Sequence, residues 1–110
     1  MNITINGKQF LLSSRLRVAY KIQGMNNHKP YTEVFKDMGE QTLEKQIELL
    51  YAAFADANPD YAREMNQQKF LDYYLDNYTL SDVMEQLRCV IEGIMGKSLD
   101  EINPTEPSEQ

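Results

Sequence analysis

The dipeptide Asn6-Gly7 constrains this chain more than any other feature. It separates two short stretches in which apolar and polar side chains alternate, Met1 to Ile5 and Lys8 to Leu12. Asn-Gly is the strongest short signal for a two-residue type I′ turn, because both central positions need positive φ. A turn at 6–7 fixes the register: Ile5 faces Lys8, Thr4 faces Gln9, Ile3 faces Phe10 and Met1 faces Leu12. One face then carries Met1, Ile3, Ile5, Phe10 and Leu12, and the other mostly Asn2, Thr4 and Gln9. This agreement across both strands predicts a hairpin with one apolar side. Two strands alone are marginal in water, so that side needs helices to lie on.

The rest of the chain reads as helices. Ser13-Ser14 offers an N-cap for a helix from about Arg15 to Gln23, with Gly24 as its stop. Its apolar residues fall on two sides: Val18 and Ile22 on one, Leu16 and Tyr20 nearly opposite. Residues 25–30 have loop chemistry. Tyr31, Val34, Phe35 and Met38 have the spacing of a short helix, ended by Gly39. Thr42 caps a helix from Leu43 to Ala57 with a stripe of Leu43, Ile47, Leu50 and Phe54, widened by Tyr51. Asn58-Pro59 stops it. Tyr61 to Met65 reads as a helical turn. Gln67 to Asn77 forms the next helix, with Phe70, Leu71, Tyr74, Leu75 and Tyr78 on one side. Thr79 and Asp82 make a capping box for the last helix. Its apolar set is Leu80, Val83, Met84, Leu87, Val90, Ile91, Ile94 and Met95; Ser81, Asp82, Glu85, Gln86, Arg88 and Glu92 lie opposite, and Gly96 ends it.

The expected fold class is α+β, mostly α: an N-terminal two-stranded β-hairpin packed on a bundle of about four helices. Residues 1–96 form one domain, with the hairpin at 1–12 and a helical body at 13–96. Residues 97–110, polar and acidic with Pro104 and Pro107, read as a flexible tail.

Composition removes several function classes. The 110 residues are 42% hydrophobic, enough for one core without staples. A single cysteine, Cys89, excludes an intramolecular disulfide, and a single histidine, His28, excludes a Cys/His zinc site. No apolar run approaches the length of a membrane span and the N-terminus is not a signal peptide, so the expectation is a cytoplasmic protein. The net charge is −6, which argues against nucleic-acid or anionic-membrane binding over the whole surface. That charge is divided unevenly. Residues 1–36 hold six basic side chains and one acid, a net of +5; residues 37–110 hold five basic side chains and sixteen acids, a net of −11.

Catalytic signals are weak. Glu44 and Glu48, and Asp72 and Asp76, stand one turn apart, but each pair reads as a solvated helix face without a second ligand set. His28 lies in a loop, and any Ser/His or Cys/His site would depend on it alone. Cys89 reads as an incidental thiol. Gly93 and Gly96 belong to a helix and its end and form no phosphate loop. No catalytic residue, cofactor or metal is expected. Seven tyrosines, concentrated around residues 61–78, point to core or protein interface, since Asp60, Asp72 and Asp76 beside them would repel phosphate.

The opening Met1-Asn2-Ile3-Thr4-Ile5-Asn6-Gly7-Lys8-Gln9-Phe10, the Arg-rich helix ending Ile22-Gln23-Gly24, and Leu49-Leu50-Tyr51-Ala52-Ala53-Phe54-Ala55 running to Ala57-Asn58-Pro59-Asp60 together resemble the tail assembly chaperones of long-tailed bacteriophages and prophages. The likeness covers roughly residues 1–95. It implies a non-enzymatic protein that coats the tape measure protein and helps recruit tail tube subunits, with no nucleic-acid or membrane partner and with homo-oligomers among its possible states. A chaperone of that kind needs an apolar surface for helix faces. The expected partner-binding residues are Leu16 and Tyr20 on the second side of the first helix, Phe70, Tyr73 and Tyr74 on the Tyr-rich helix, and Arg15 and Arg17 (with Lys21) to steer acidic segments. A small regulatory adaptor, or an acidic mimic of DNA, fits the same composition; an enzyme fits it least.

Overall fold

The computed structural model describes residues 1–25, 27–36 and 38–96. Strands β1 (Asn2–Ile5) and β2 (Lys8–Leu11) form an antiparallel hairpin, followed by α1 (Leu16–Met25), α2 (Tyr31–Lys36), a 3-10 turn (Met38–Glu40), α3 (Leu43–Ala57), α4 (Pro59–Ala62), α5 (Gln67–Asn77) and α6 (Leu80–Met95). The class is α+β, mostly α. The expected tail at 97–110 lies outside the described residues.

The hairpin has the register that its turn dictates: Ile5 with Lys8, Thr4 with Gln9, Ile3 with Phe10 and Asn2 with Leu11. Asn6 and Gly7 have φ of 52° and 82°, the left-handed pair that a type I′ turn requires. Ile3, Ile5 and Leu12 are buried and Phe10 is half-buried, but Met1 is exposed. Met1 precedes β1, although its carbonyl still accepts the Leu12 N–H at 2.8 Å.

Helix α3 is the centre of the body and packs against β2, α1, α4, α5 and α6. Leu49, Leu50, Ala53 and Phe54 are wholly buried, so its apolar surface is wider than one stripe. The Thr42 hydroxyl accepts the Lys45 N–H, and Thr79 and Asp82 form the expected reciprocal capping box on α6. Buried Gln46 donates to the Met38 carbonyl at 3.1 Å and so pins the 3-10 turn to α3. Gly93 lies against the segment between β2 and α1: a Cβ there would fall 2.6 Å from the Ser14 Cβ.

Several expectations need correction. Gly24 does not stop α1; the helix runs on to Met25, and the chain reverses at Asn27 and His28, with φ of 60° and 61°. Glycine permits a stop without requiring one. Gly39 lies inside the 3-10 turn rather than ending α2. The turn expected at Tyr61–Met65 begins earlier, because Pro59 suits the first position of a helix. Leu43, from the expected stripe of its helix, and Leu75, Leu80 and Met84, from the apolar sides of theirs, are exposed. Leu43 and Leu80 are first residues of their helices, and with Leu75 they line a small cleft of about 80 Å³. Gln86, expected on the polar side of α6, is buried and accepts a hydrogen bond from the Tyr74 hydroxyl.

The buried set predicts sharply different costs for similar truncations. Phe54→Ala should lose about 3–5 kcal/mol by the size of its side chain and the cavity left, whereas Leu80→Ala should change stability by less than about 0.5 kcal/mol. Urea unfolding midpoints of the two variants measure the contrast.

Candidate partner-binding surface

The start of α1 is fixed by a small polar network. The Ser13 hydroxyl donates to Asp56 Oδ2 at 2.5 Å and accepts the Arg15 N–H at 3.2 Å. The Arg15 guanidinium grips both carboxylate oxygens of Asp56, Nε and Nη2 each at 2.9 Å. This bidentate pair is the strong form of an ion pair. The Asp56 side chain is almost covered, at 3% exposure, while that of Arg15 keeps 66%. The hydrogen bond from Arg15 holds the Asp56 carboxyl below its ordinary pKa, against the opposing effect of burial. The Ser13 N–H also reaches the Ala53 carbonyl at 3.1 Å. The entry to α1 is thereby anchored to α3 at two points.

Anchored this way, α1 buries Val18, Ala19 and Ile22 and leaves its other side uncovered. Leu16 is 77% exposed and Tyr20 is 76% exposed. Arg17 and Lys21 are exposed in a row beside them. A cleft of about 440 Å³ opens at the entry to α1, lined by Met1, Leu11, Ser14, Arg15, Asp56 and Ala57 among others. Met1 and Leu11, at the end of the hairpin, are exposed on its rim. This is an open, partly apolar surface with a basic margin, suited to another protein rather than to a small enclosed ligand.

The tyrosine-rich helix serves the fold instead. Phe70 and Tyr74 are 0% and 1% exposed, so neither can meet a partner. Phe70 stacks on Tyr74 at 4.7 Å and contacts Phe54 at 5.0 Å. Burial drives the Tyr74 hydroxyl far above its ordinary pKa and keeps it neutral. Tyr73 is half-buried, and its hydroxyl accepts the Asn6 N–H at 3.0 Å. The Tyr78 hydroxyl accepts the Thr4 N–H at 3.0 Å and donates to the Thr4 carbonyl at 2.7 Å. It thus occupies outward-facing backbone groups of β1, where an open edge invites pairing with another strand. On β2 the Asn58 amide donates to the Leu11 carbonyl at 2.9 Å. Of the expected partner-binding residues, Leu16, Arg17 and Tyr20 share one free face and Arg15 borders it; Phe70, Tyr73 and Tyr74 do not join them. Sequence period places Phe70 and Tyr74 on the apolar side of their helix, which is the signal that they belong inside.

The other candidates are held locally. Glu48 accepts from Lys45 and Gln67 in a cleft of about 240 Å³ that Glu44 also lines, and Asp72 accepts from Gln68. The His28 N–H donates to the Gln23 carbonyl at 2.7 Å and closes the end of α1. The Cys89 thiol meets Glu85 at 3.7 Å; burial and that carboxylate push its pKa up, which lowers its reactivity. Among the described residues no group of His, Cys, Asp and Glu could hold a metal ion, and no helix is long and apolar enough to cross a membrane. No family model, curated protein or solved structure matches the chain.

Two measurements follow from these bonds. A carboxylate whose pKa is depressed by folding adds stability above its unfolded pKa and loses it as pH falls through the folded value. Asp56 and, through its bonds to Thr79, Asp82 are both depressed. Unfolding free energy should therefore fall from about pH 5 downward, and Asp56→Asn should flatten part of that slope while lowering stability at neutral pH. Tyr78→Phe should cost about 1 kcal/mol and speed hydrogen exchange at the Thr4 amide.

Proposed function

We propose that this chain is a non-enzymatic, cytoplasmic tail assembly chaperone of a bacteriophage or prophage, which binds the tape measure protein and helps recruit tail tube subunits. The observation that carries the reading is the uncovered side of α1, where Leu16 and Tyr20 stand exposed beside Arg17 and Lys21. A long helical client needs apolar side chains of the chaperone one helical turn apart, and i, i+4 residues provide that spacing. The nearby cleft bordered by Met1 and Leu11 gives room for a bulky client side chain. Basic residues along the margin favour client segments that carry Asp or Glu and speed their encounter. The same basic residues weigh against a mimic of DNA, which would present unbroken carboxylates. The motifs of the first 60 residues, with their likeness to the chaperone family, supply the identity of the client.

The test is co-expression of the full chain with the tape measure protein of the same genome, followed by affinity capture. Covering Leu16 and Tyr20 removes two large apolar groups from water, each worth about 1.5–3 kcal/mol. Leu16→Asp with Tyr20→Asp should therefore weaken capture about a hundredfold or more, with the thermal midpoint unchanged because both positions are exposed. Capture by the double variant at wild-type strength would show that the client uses another surface. A wild-type chain that captures no tape measure protein would end the reading itself.

A further inference from the structure

Helices α1 and α5 carry matching rows of opposite charge. On α1, Leu16 and Tyr20 are one turn apart, and Arg17 and Lys21 form an exposed row one residue further on. On α5, Leu71 and Leu75 are one turn apart, and Asp72 and Asp76 form the exposed row one residue further on. Leu75 is 53% exposed and Leu71 half-buried. The pitch and the offset of the charged row are the same on both helices.

Neither charged row is closed into ion pairs among the described residues. Arg17 and Lys21 enter no ion pair among the described residues, although Lys21 lies close enough to Asp56 to help depress its pKa. Among the described residues Asp72 accepts from the neutral amide of Gln68 and enters no ion pair, and Lys69 turns its ammonium to the Glu64 carbonyl. Both helices use their opposite sides to bury core residues, Val18 and Ile22 on α1, Phe70 and Tyr74 on α5, and both pack on α3. The two free faces therefore point outward, and a single chain cannot bring its own pair together.

We propose that α1 of one copy docks antiparallel on α5 of a second copy. When two helices meet antiparallel along their apolar rows, side rows displaced the same way round each axis come to the same side of the seam. Leu16 then meets Leu75, Tyr20 meets Leu71, Arg17 faces Asp76 and Lys21 faces Asp72. In a parallel arrangement the charged rows would lie on opposite sides and lose their partners. The contact is heterologous, so each added copy leaves one free α1 face and one free α5 face, and association continues. The inference rests on the reading of α1 as a binding face and makes client and second copy compete for it. The acidic residues 97–110, with one lysine and four acids, match α1 by charge and not α5; they are the rival occupant.

The experiment is sedimentation velocity on the purified full chain with no client present. The wild type should form a concentration-dependent series of species at low salt that collapses towards monomer near 1 M salt, where screening acts within about 3 Å. Arg17→Glu with Lys21→Glu, and separately Asp72→Lys with Asp76→Lys, should each be monomeric, with unchanged circular dichroism because all four positions are exposed. An equimolar mixture of the two variants should associate again, since each then offers the sign the other lacks. A wild type that stays monomeric (its α1 covered by residues 97–110 or by nothing), association insensitive to either reversal, or a mixture that stays monomeric overturns the proposal. The Asp72→Lys, Asp76→Lys variant keeps α1 intact and should still capture the tape measure protein. Client capture without self-association defeats only this inference, and self-association without client capture defeats only the chaperone reading.

Discussion

A file of aromatic rings holds the molecule together. It runs from Tyr61 to Phe10 at 4.5 Å, from Phe10 to Phe54 at 5.6 Å, from Phe54 to Phe70 at 5.0 Å, then through Tyr74 to Tyr78 at 4.7 and 4.5 Å. These six residues belong to the hairpin, α3, α4, α5 and the turn before α6. Phe54 is the common member, wholly buried and in contact with rings on both sides. Rings at these separations add favourable edge and offset contacts to the apolar area they bury. A two-stranded hairpin gains its stability from such contacts because its own ladder is too short to supply it.

The hydroxyls at the end of that file do a second job. Tyr73 and Tyr78 take up backbone groups of Asn6 and Thr4 that the hairpin cannot satisfy internally. Tyr74 satisfies Gln86 inside the body. Each ring is thus apolar on its faces and polar at the one point where a buried or bordering group needs a partner. This explains a tyrosine-rich segment without a ligand. It also removes β1 as an easy site for strand addition.

The exposed helix faces are produced by how the helices are anchored. Asp56 and Ser13 hold the first turn of α1 so that Val18 and Ile22 face α3, which forces Leu16 and Tyr20 outward. Phe70 and Tyr74 turn α5 inward, which leaves Leu75, Asp72 and Asp76 outside. The uneven division of charge along the chain, +5 in residues 1–36 and −11 beyond them, becomes in three dimensions a basic helix and an acidic helix that both pack on α3.

Local chemistry alone determined the hairpin and most helix ends. Asn6-Gly7 set the register, Thr42 and Thr79 set two helix starts, and Asn58-Pro59 and Gly96 set two stops, because each acts through backbone geometry or hydrogen bonds within a few residues. The pairing of Leu16 with Tyr20 on a second side of α1 was also legible, since helical period fixes which residues share a face. What period cannot give is which faces another element covers. Period places Phe70 and Tyr74 on the same apolar side as Leu75, and only the tertiary structure decided that the first two are covered while Leu43, Leu75 and Leu80 remain outside, and that Gln86 is buried against a tyrosine. The physical reason is that burial belongs to a contact between elements distant in sequence, and one helix carries no record of where its neighbour ends.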